Sequence, residues 1–188
     1  MKKENPAIKY GLIGAIILVT FGIIAQFIAL SYLKSAVANP EKISIGTSIV
    51  ISIGSLIIII GIFIFCIVMA IKGYRKINTE YSYRKLVNQG LLTTLIIVLV
   101  STAVSYLYNN VISPETKQKT VELTRQVYQN LKIPDDQKEK MLESLDKQNP
   151  TRQLLTSFGL TLILGMIISL ISASVMNKNK LQNFNQMR

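Results

Sequence analysis

The stretch ISIGTSIVISIGSLIIIIGIFIFCIVMAI, residues 43–71, decides the fold of this chain. None of its 29 residues is charged, and eighteen of them are Ile, Val, Leu or Phe. The hydrocarbon core of a bilayer is about 30 Å thick, and about 20 apolar residues of helix cross it. At a few tenths of a kcal/mol for each apolar side chain, insertion of this stretch is favourable by roughly 5 to 10 kcal/mol. The sequence therefore predicts a membrane-spanning helix.

Three further stretches also lack charge: residues 10–33, 86–114 and 153–177, with lengths of 24, 29 and 25. The alternative, a set of buried helices in a soluble protein, is disfavoured because such helices rarely stay uncharged beyond about 14 residues. We predict an all-α integral membrane four-helix bundle that forms a single membrane domain over residues 1–188. Its spans are expected at about residues 10–33, 45–71, 86–112 and 153–176.

Residues 113–152 separate the third span from the fourth and carry two helix-start signals. Residues 113–115, Ser-Pro-Glu, offer a side-chain cap, a proline at the first helical position and an acid at the positive end of the helix dipole. Residues 134–136, Pro-Asp-Asp, repeat the signal, and the Asn-Pro pair at 149–150 ends the segment. The sequence predicts a helical hairpin. Its sparse apolar stripe is expected to pack on its own bundle or lie at the membrane interface, and the alternative is that it grips a partner.

Charge predicts the orientation of the spans. The chain has 21 Lys and Arg against 10 Asp and Glu, a net charge of +11. With four spans, both termini and the middle loop share one side, which carries eleven basic residues and two acids. The positive-inside rule places that side in the cytoplasm, so the hairpin is expected to be extracytoplasmic. The loop from Gly73 to Lys85 decides the orientation. The segment between the third and fourth spans counts for little, because it is long and nearly charge-balanced.

The basic residues beside the middle loop are also candidate contacts for anionic lipid headgroups. The alternative is that they only orient the helices, which needs no ligand. The net charge is therefore attributed to the membrane, and no nucleic acid partner is expected. The candidate headgroup contacts are Lys72, Arg75, Lys76, Arg84 and Lys85.

Small residues at four-residue spacing mark a candidate helix-packing face in the fourth span. Gly165, Ser169 and Ala173 form this row. Small side chains allow two helix backbones to approach closely in a membrane. The face is expected to serve packing among the four spans, and the alternative is a dimer contact.

Recognisable catalytic chemistry is absent from the sequence. The chain has no His and one cysteine, Cys66, so His-based metal sites, His general bases and a disulfide framework are excluded. Gln26 is the most polar residue well inside a span, and interhelical bonding is favoured there over a substrate site. We predict no enzyme activity, no catalytic, cofactor-binding or metal-binding residues, and no cofactor.

These observations predict a non-enzymatic polytopic membrane protein that acts through helix packing or through protein and lipid interaction. The alternative is a small channel or transporter component, suggested by hydroxyl-bearing spans and a weak likeness between the two halves of the chain. The expected partners are the lipid bilayer, anionic headgroups, and either a second copy or another membrane protein.

Several short motifs along the chain resemble those of a known family. The motifs are Lys9-Tyr10-Gly11-Leu12-Ile13-Gly14, Ile71-Lys72-Gly73-Tyr74-Arg75, Gly90-Leu91-Leu92, Ser113-Pro114, and Phe158-Gly159-Leu160 through Ser169-Leu170-Ile171. The family that they resemble is domain of unknown function 4199, which comprises small membrane proteins mainly from Bacteroidota. The resemblance implies a four-helix protein of the bacterial inner membrane without an assigned activity, and it brings no catalytic or binding residues.

Overall fold

A computed structural model describes residues 5–39, 45–78, 80–131, 133–147 and 149–186. These residues form helices and, within those ranges, no strand. The predicted all-α fold, with four long apolar helices and a helical hairpin before the last one, is confirmed. The elements are α1 (Pro6–Ala38), α2 (Ile45–Ile77), α3 (Tyr83–Leu107), a π-helix (Tyr108–Ile112), α4 (Pro114–Asn130), α5 (Asp135–Asp146) and α6 (Pro150–Gln186).

Among the described residues, four helical stretches are long and apolar enough to cross a membrane. They are Pro6–Ala38, Val50–Ile77, Tyr83–Ile112 and Leu154–Asn177. Large apolar side chains on them lie at the surface, including Ile16 at 65% exposure and Ile57 at 64%. Exposed apolar surface on this scale is typical of contact with lipid rather than water. The chain is a multi-pass membrane protein.

The described residues divide into two compact units. The first unit holds residues from 1–18, 57–102 and 157–188, and the second holds residues from 19–56 and 103–156. Helices α1, α2, α3 and α6 each contribute to both units. That residues 1–188 form a single membrane domain stays a prediction.

The first unit contains the apolar core. Phe63, Ile67 and Ile71 of α2 are fully buried there, together with Leu86 and Ile97 of α3. The lone thiol is part of the same cluster and is also fully buried. Further members of the cluster are Cys66, Val98, Ile168, Ala173 and Met176.

Glycines let α1 approach its neighbours in the first unit. A β-carbon on Gly11 would lie 2.8 Å from Cβ of Ile96, and one on Gly14 would lie 2.9 Å from Sγ of Cys66. Such distances are well inside van der Waals contact, so neither position can accept a side chain unless its neighbours move. The Lys9–Gly14 motif therefore marks the face of α1 that packs on α2 and α3.

The second unit contains the hairpin, in which α4 packs against α5. Both predicted starts are correct, since α4 begins at Pro114 and α5 at Asp135. The predicted side-chain cap at Ser113 is wrong. Its hydroxyl makes no bond to a backbone N–H and instead lies 2.5 Å from the Thr116 hydroxyl. The N–H of Thr116, which a Ser113 cap could bind, donates instead to the Ser113 backbone carbonyl at 3.2 Å.

The end of the third span is a π-helix, which the sequence did not predict. The side-chain amide of Asn109 donates to the Ser105 carbonyl at 2.9 Å, and that of Asn110 donates to the Tyr106 carbonyl at 2.8 Å. Side-chain donors of this kind compete with backbone N–H groups for the carbonyl four residues earlier. The N–H of Ser113 accordingly donates five residues back, to the Tyr108 carbonyl. Paired asparagines thus favour the wider helix.

Candidate functional site

The candidate headgroup contacts lie on helix ends rather than in a long loop. Helix α2 continues to Ile77, and α3 starts at Tyr83. Both helices therefore extend into the segment from Gly73 to Lys85 that the sequence analysis took as the loop between the spans. Three cations, Lys72, Arg75 and Lys76, lie in the last turns of α2, where the negative end of the helix dipole favours positive charge.

A small open pocket is formed at this helix end. Its lining residues are Lys72, Arg75, Lys76 and Tyr81, and its volume is about 350 Å³. The three cations are spaced i, i+3 and i+4, which places them on one face of α2. We call these four residues the basic pocket.

Tyr81 holds Arg75 in place. Its hydroxyl accepts a hydrogen bond of 2.9 Å from Nε of Arg75, and Cζ of Arg75 lies 5.1 Å from the centre of the tyrosine ring. The ring itself packs against the apolar core of the first unit. The sequence analysis did not identify Tyr81 as part of a site. The usable signal was the position of Tyr81, an aromatic residue six positions after Arg75 and on the other side of the chain reversal.

Helix α1 packs on an adjacent side of α2. A β-carbon on Gly73 would lie 3.0 Å from Cβ of Pro6 and 3.6 Å from the ring of Tyr10. Gly73 thus lets the start of α1 lie close to the last turns of α2. The helix end that carries the pocket is therefore held by packing as well as by Tyr81.

The cations of the basic pocket have no carboxylate partner in the part of the chain that the structure describes. Lys72 and Lys76 are exposed and Arg75 is partly exposed. Arg84 and Lys85 are exposed in the first turn of α3 and do not line the pocket. The structure therefore groups three of the five candidate contacts and separates the other two. Of the cations counted on this side of the membrane, Lys2, Lys3 and Arg188 lie outside the described residues.

The candidate packing face of α6 lies inside the first unit, against α3. Gly165, Ser169 and Ala173 are all buried. A β-carbon on Gly165 would fall on the Thr94 side chain, and one on Gly90 would lie 2.7 Å from Cβ and Oγ of Ser169. The Thr94 side chain of α3 thus lies over Gly165 of α6, and the Ser169 side chain of α6 lies over Gly90 of α3. We call this arrangement the α3–α6 contact.

Two polar side chains inside the spans, Gln26 and Thr93, form hydrogen bonds to helix groups. The amide of Gln26 in α1 donates to Oδ1 of Asn109 in the π-helix at 3.2 Å, an interhelical bond within the second unit. The Thr93 hydroxyl donates to the Gln89 carbonyl at 2.7 Å. Sequence analysis named Gln26 but missed Asn109, although two adjacent asparagines in an uncharged stretch were a usable signal. Among the described residues, no group of three or more His, Cys, Asp or Glu could hold a metal ion.

Four apolar helices around an α3–α6 contact, with a basic end on α2, define a four-span helical membrane protein. The model of the family described as protein of unknown function (DUF4199) matches residues 9–178, and the chain belongs to this family. Comparison with curated proteins and with solved structures gave no significant match.

Proposed function

We propose that this chain is a non-enzymatic multi-pass protein of the bacterial inner membrane, with both termini in the cytoplasm. In this proposal it acts through contacts with anionic lipid headgroups and with other membrane proteins. The observation that carries the proposal is the grouping of Lys72, Arg75 and Lys76 at the end of an apolar span, without carboxylate partners among the described residues. Cations in that position attract the negatively charged cytoplasmic leaflet.

The short connection between α2 and α3 supports the same orientation. Lys and Arg beside a short connection hold it on the cytoplasmic side, whereas Asp and Glu contribute little to orientation. Lys72, Arg75 and Lys76 precede this connection, and Arg84 and Lys85 follow it. The proposal therefore has the basic pocket inside the cell and the hairpin outside it.

The polar groups of the spans support an interaction role over a channel. Gln26 is bonded to another helix, and the hydroxyls of Thr94 and Ser169 are buried in the α3–α6 contact. A small channel or transporter component stays the alternative prediction, and purified protein in liposomes that conducts ions or small solutes would favour it.

Orientation is tested by cysteine labelling in intact cells with a membrane-impermeant maleimide. The wild-type protein provides the blank, because Cys66 is fully buried. Reporters are Ser82→Cys in the α2–α3 connection and Ser144→Cys in α5, both at exposed positions and both in a Cys66→Ala background. We expect Ser144→Cys to react in cells with a permeabilised outer membrane, and Ser82→Cys to react only after the inner membrane is opened. The reverse pattern contradicts the proposal.

The interaction role is tested by crosslinking in native membranes with a photoreactive residue at Tyr128. This residue of α4 is partly exposed. A recurrent adduct with one membrane protein supports the proposal and identifies the partner. The absence of any protein adduct, here and from the same residue placed at exposed Val121, removes the protein-partner part of the proposal.

A further inference from the structure

We propose that the basic pocket is a discrete binding site for the phosphate group of one anionic phospholipid. This inference rests on the proposed lipid contact of the α2–α3 cations, and it adds which residues bind and how. It also separates the pocket from Arg84 and Lys85, which carry the same charge outside it.

The guanidinium of Arg75 is oriented before any ligand arrives. A guanidinium has five N–H donors. One of them, on Nε, is used by the Tyr81 hydroxyl at 2.9 Å. The donors on the two Nη atoms make no ion pair within the described part of the chain. A fork of two N–H groups matches a phosphate, which it binds with two parallel hydrogen bonds.

Two lysines complete the positive side of the pocket. Lys72 and Lys76 flank Arg75 on the same face of α2 and line the same cavity of about 350 Å³. An ammonium group acts as a mobile point charge beside the directional guanidinium. Together they supply more positive charge than one phosphodiester neutralises, which favours a headgroup with a net negative charge over a zwitterionic one.

The face of α2 that precedes the pocket fits a lipid tail rather than a free anion. Phe65 lies seven residues before Lys72, two helical turns earlier on the same face. Its side chain is 54% exposed, although it lies in the middle of an apolar span. A phospholipid whose phosphate sits on Arg75 would place an acyl chain along this apolar strip. Inorganic phosphate gains nothing from it.

The ring of Tyr81 makes the site rigid at the level of the headgroups. It packs on the apolar core on one side and contacts Arg75 on the other. Amphipathic tyrosine rings favour the membrane interface for the same reason, since one end is apolar and the other polar. Preorganisation of this kind lowers the entropy that a ligand loses on binding.

Native mass spectrometry of the full chain tests the site. The protein is purified in detergent and titrated with phosphatidylglycerol in the presence of phosphatidylcholine, and the dissociation constant of the first anionic adduct is measured. We expect Arg75→Gln to weaken this binding about tenfold, the equivalent of one charge-assisted bidentate contact. Tyr81→Phe keeps the ring and should weaken binding about two- to threefold, because it removes only the hydroxyl that orients Arg75.

Arg84→Gln is the matched control, because it removes the same charge from an exposed position outside the pocket. We expect it to change the dissociation constant less than twofold. Equal losses for Arg75→Gln and Arg84→Gln, with Tyr81→Phe unchanged, would mean diffuse attraction by net charge. That result overturns the discrete site and leaves the proposed orientation and lipid contact standing, since cysteine labelling measures orientation independently.

Two further arms decide between ligand sources. Inorganic phosphate is added at millimolar concentration to the lipid complex, and we expect it to leave the adduct in place. Displacement by phosphate would make the site one for a free anion and overturn the lipid assignment. A photoreactive residue at Lys72 in native membranes is expected to capture lipid, and capture of an acidic protein segment instead would also overturn it.

Discussion

The interiors of the two units are stabilised by different interactions. In the first unit, large apolar side chains are fully buried and glycines admit the side chains of neighbouring helices. In the second unit, Ala36 and Val127 are the buried apolar residues among those described, and the contacts between elements include polar pairs such as Gln26 with Asn109. Shape complementarity stabilises one unit, and hydrogen bonds and ion pairs contribute visibly to the other.

This difference indicates where the protein tolerates change. Close-packed interiors respond strongly to added atoms, because neighbouring side chains cannot move away without cost. Exposed polar pairs are individually weak, since water competes for each partner. The first unit is therefore suited to holding the basic pocket in one geometry. In the proposed interaction role, the second unit, with its partly exposed hairpin, is the part that adapts to a partner.

The largest effect is expected from filling the α3–α6 contact. Gly165→Leu places a side chain where Thr94 lies, and we expect it to lower the free energy of unfolding in detergent by about 1 to 3 kcal/mol. Unfolding is followed by circular dichroism as sodium dodecyl sulfate is added to the folded protein in mild micelles.

Gly159→Leu is the control on the same helix, because a β-carbon there meets no heavy atom within 4 Å. Leucine is a better helix former than glycine by about 1 kcal/mol, so this variant should be unchanged or slightly more stable. The comparison of units fails if the two leucine variants unfold alike.

Absence of charge was enough to predict the four spans, and the signals Pro-Glu at 114–115 and Pro-Asp at 134–135 were enough to predict the hairpin helices. The rotation of each span about its axis was harder to predict. A helix such as α2 is apolar on every side, so its periodicity does not indicate which face meets a neighbour. The small-residue row of α6 was visible, but its partners Gly90 and Thr94 follow from shape in three dimensions.

The basic pocket was predicted in part for a similar reason. Five cations could be named from their position beside the spans, yet only the chain reversal at residues 78–82 brings Tyr81 onto Arg75. The bond between Gln26 and Asn109 joins residues 83 positions apart, and a π-helix sets the direction of Asn109. Local sequence signals do not encode such long-range pairings.

A second effect, opposite in sign, is expected from the hydroxyl of Thr94. This residue is 1% exposed, and its Oγ1 has no hydrogen-bond partner in the part of the chain that the structure describes. Thr94→Val removes an unsatisfied polar group and keeps the shape, so we expect the free energy of unfolding to rise by about 1 kcal/mol.

The adjacent residue gives the matched control. Thr93 is also buried, but its hydroxyl donates to the Gln89 carbonyl. Thr93→Val should therefore bring no gain, and both variants are compared in the same detergent titration. A loss of stability in Thr94→Val would show that its hydroxyl contributes to the α3–α6 contact, and that this contact depends on more than shape.

A smaller effect is expected from the polar pair inside the second unit. We predict a coupling free energy of about 0.6 kcal/mol between Gln26→Leu and Asn109→Leu in a double-mutant cycle, the average for interhelical hydrogen bonds in membranes. The cycle is needed because Asn109 also donates to the Ser105 carbonyl, and that loss cancels between the two arms. Gln26→Leu with Asn110→Leu is the control, since Asn110 bonds to Tyr106 instead. Equal coupling in both cycles would contradict the assigned bond.

The smallest effect is expected from the ion pair that joins the hairpin helices. Arg125 of α4 bonds to Asp146 of α5, and their side chains are 40% and 54% exposed. Exposed pairs of this kind couple by about 0.2 to 1 kcal/mol. We expect a cycle of Arg125→Ala and Asp146→Ala to give a value in the lower half of that range.

Salt makes this last prediction decisive for the comparison of the two units. At about 1 M salt the screening length falls to about 3 Å, so the coupling between Arg125 and Asp146 should weaken, while that between Gln26 and Asn109 should not change. Lys147 and Glu143 give the internal control, since both lie at the end of α5 and their pairing does not join two helices. A coupling above 1 kcal/mol that survives high salt would mean that the Arg125 pair is shielded from water. The hairpin would then be a rigid element of the second unit, and its proposed ability to adapt to a partner would be wrong.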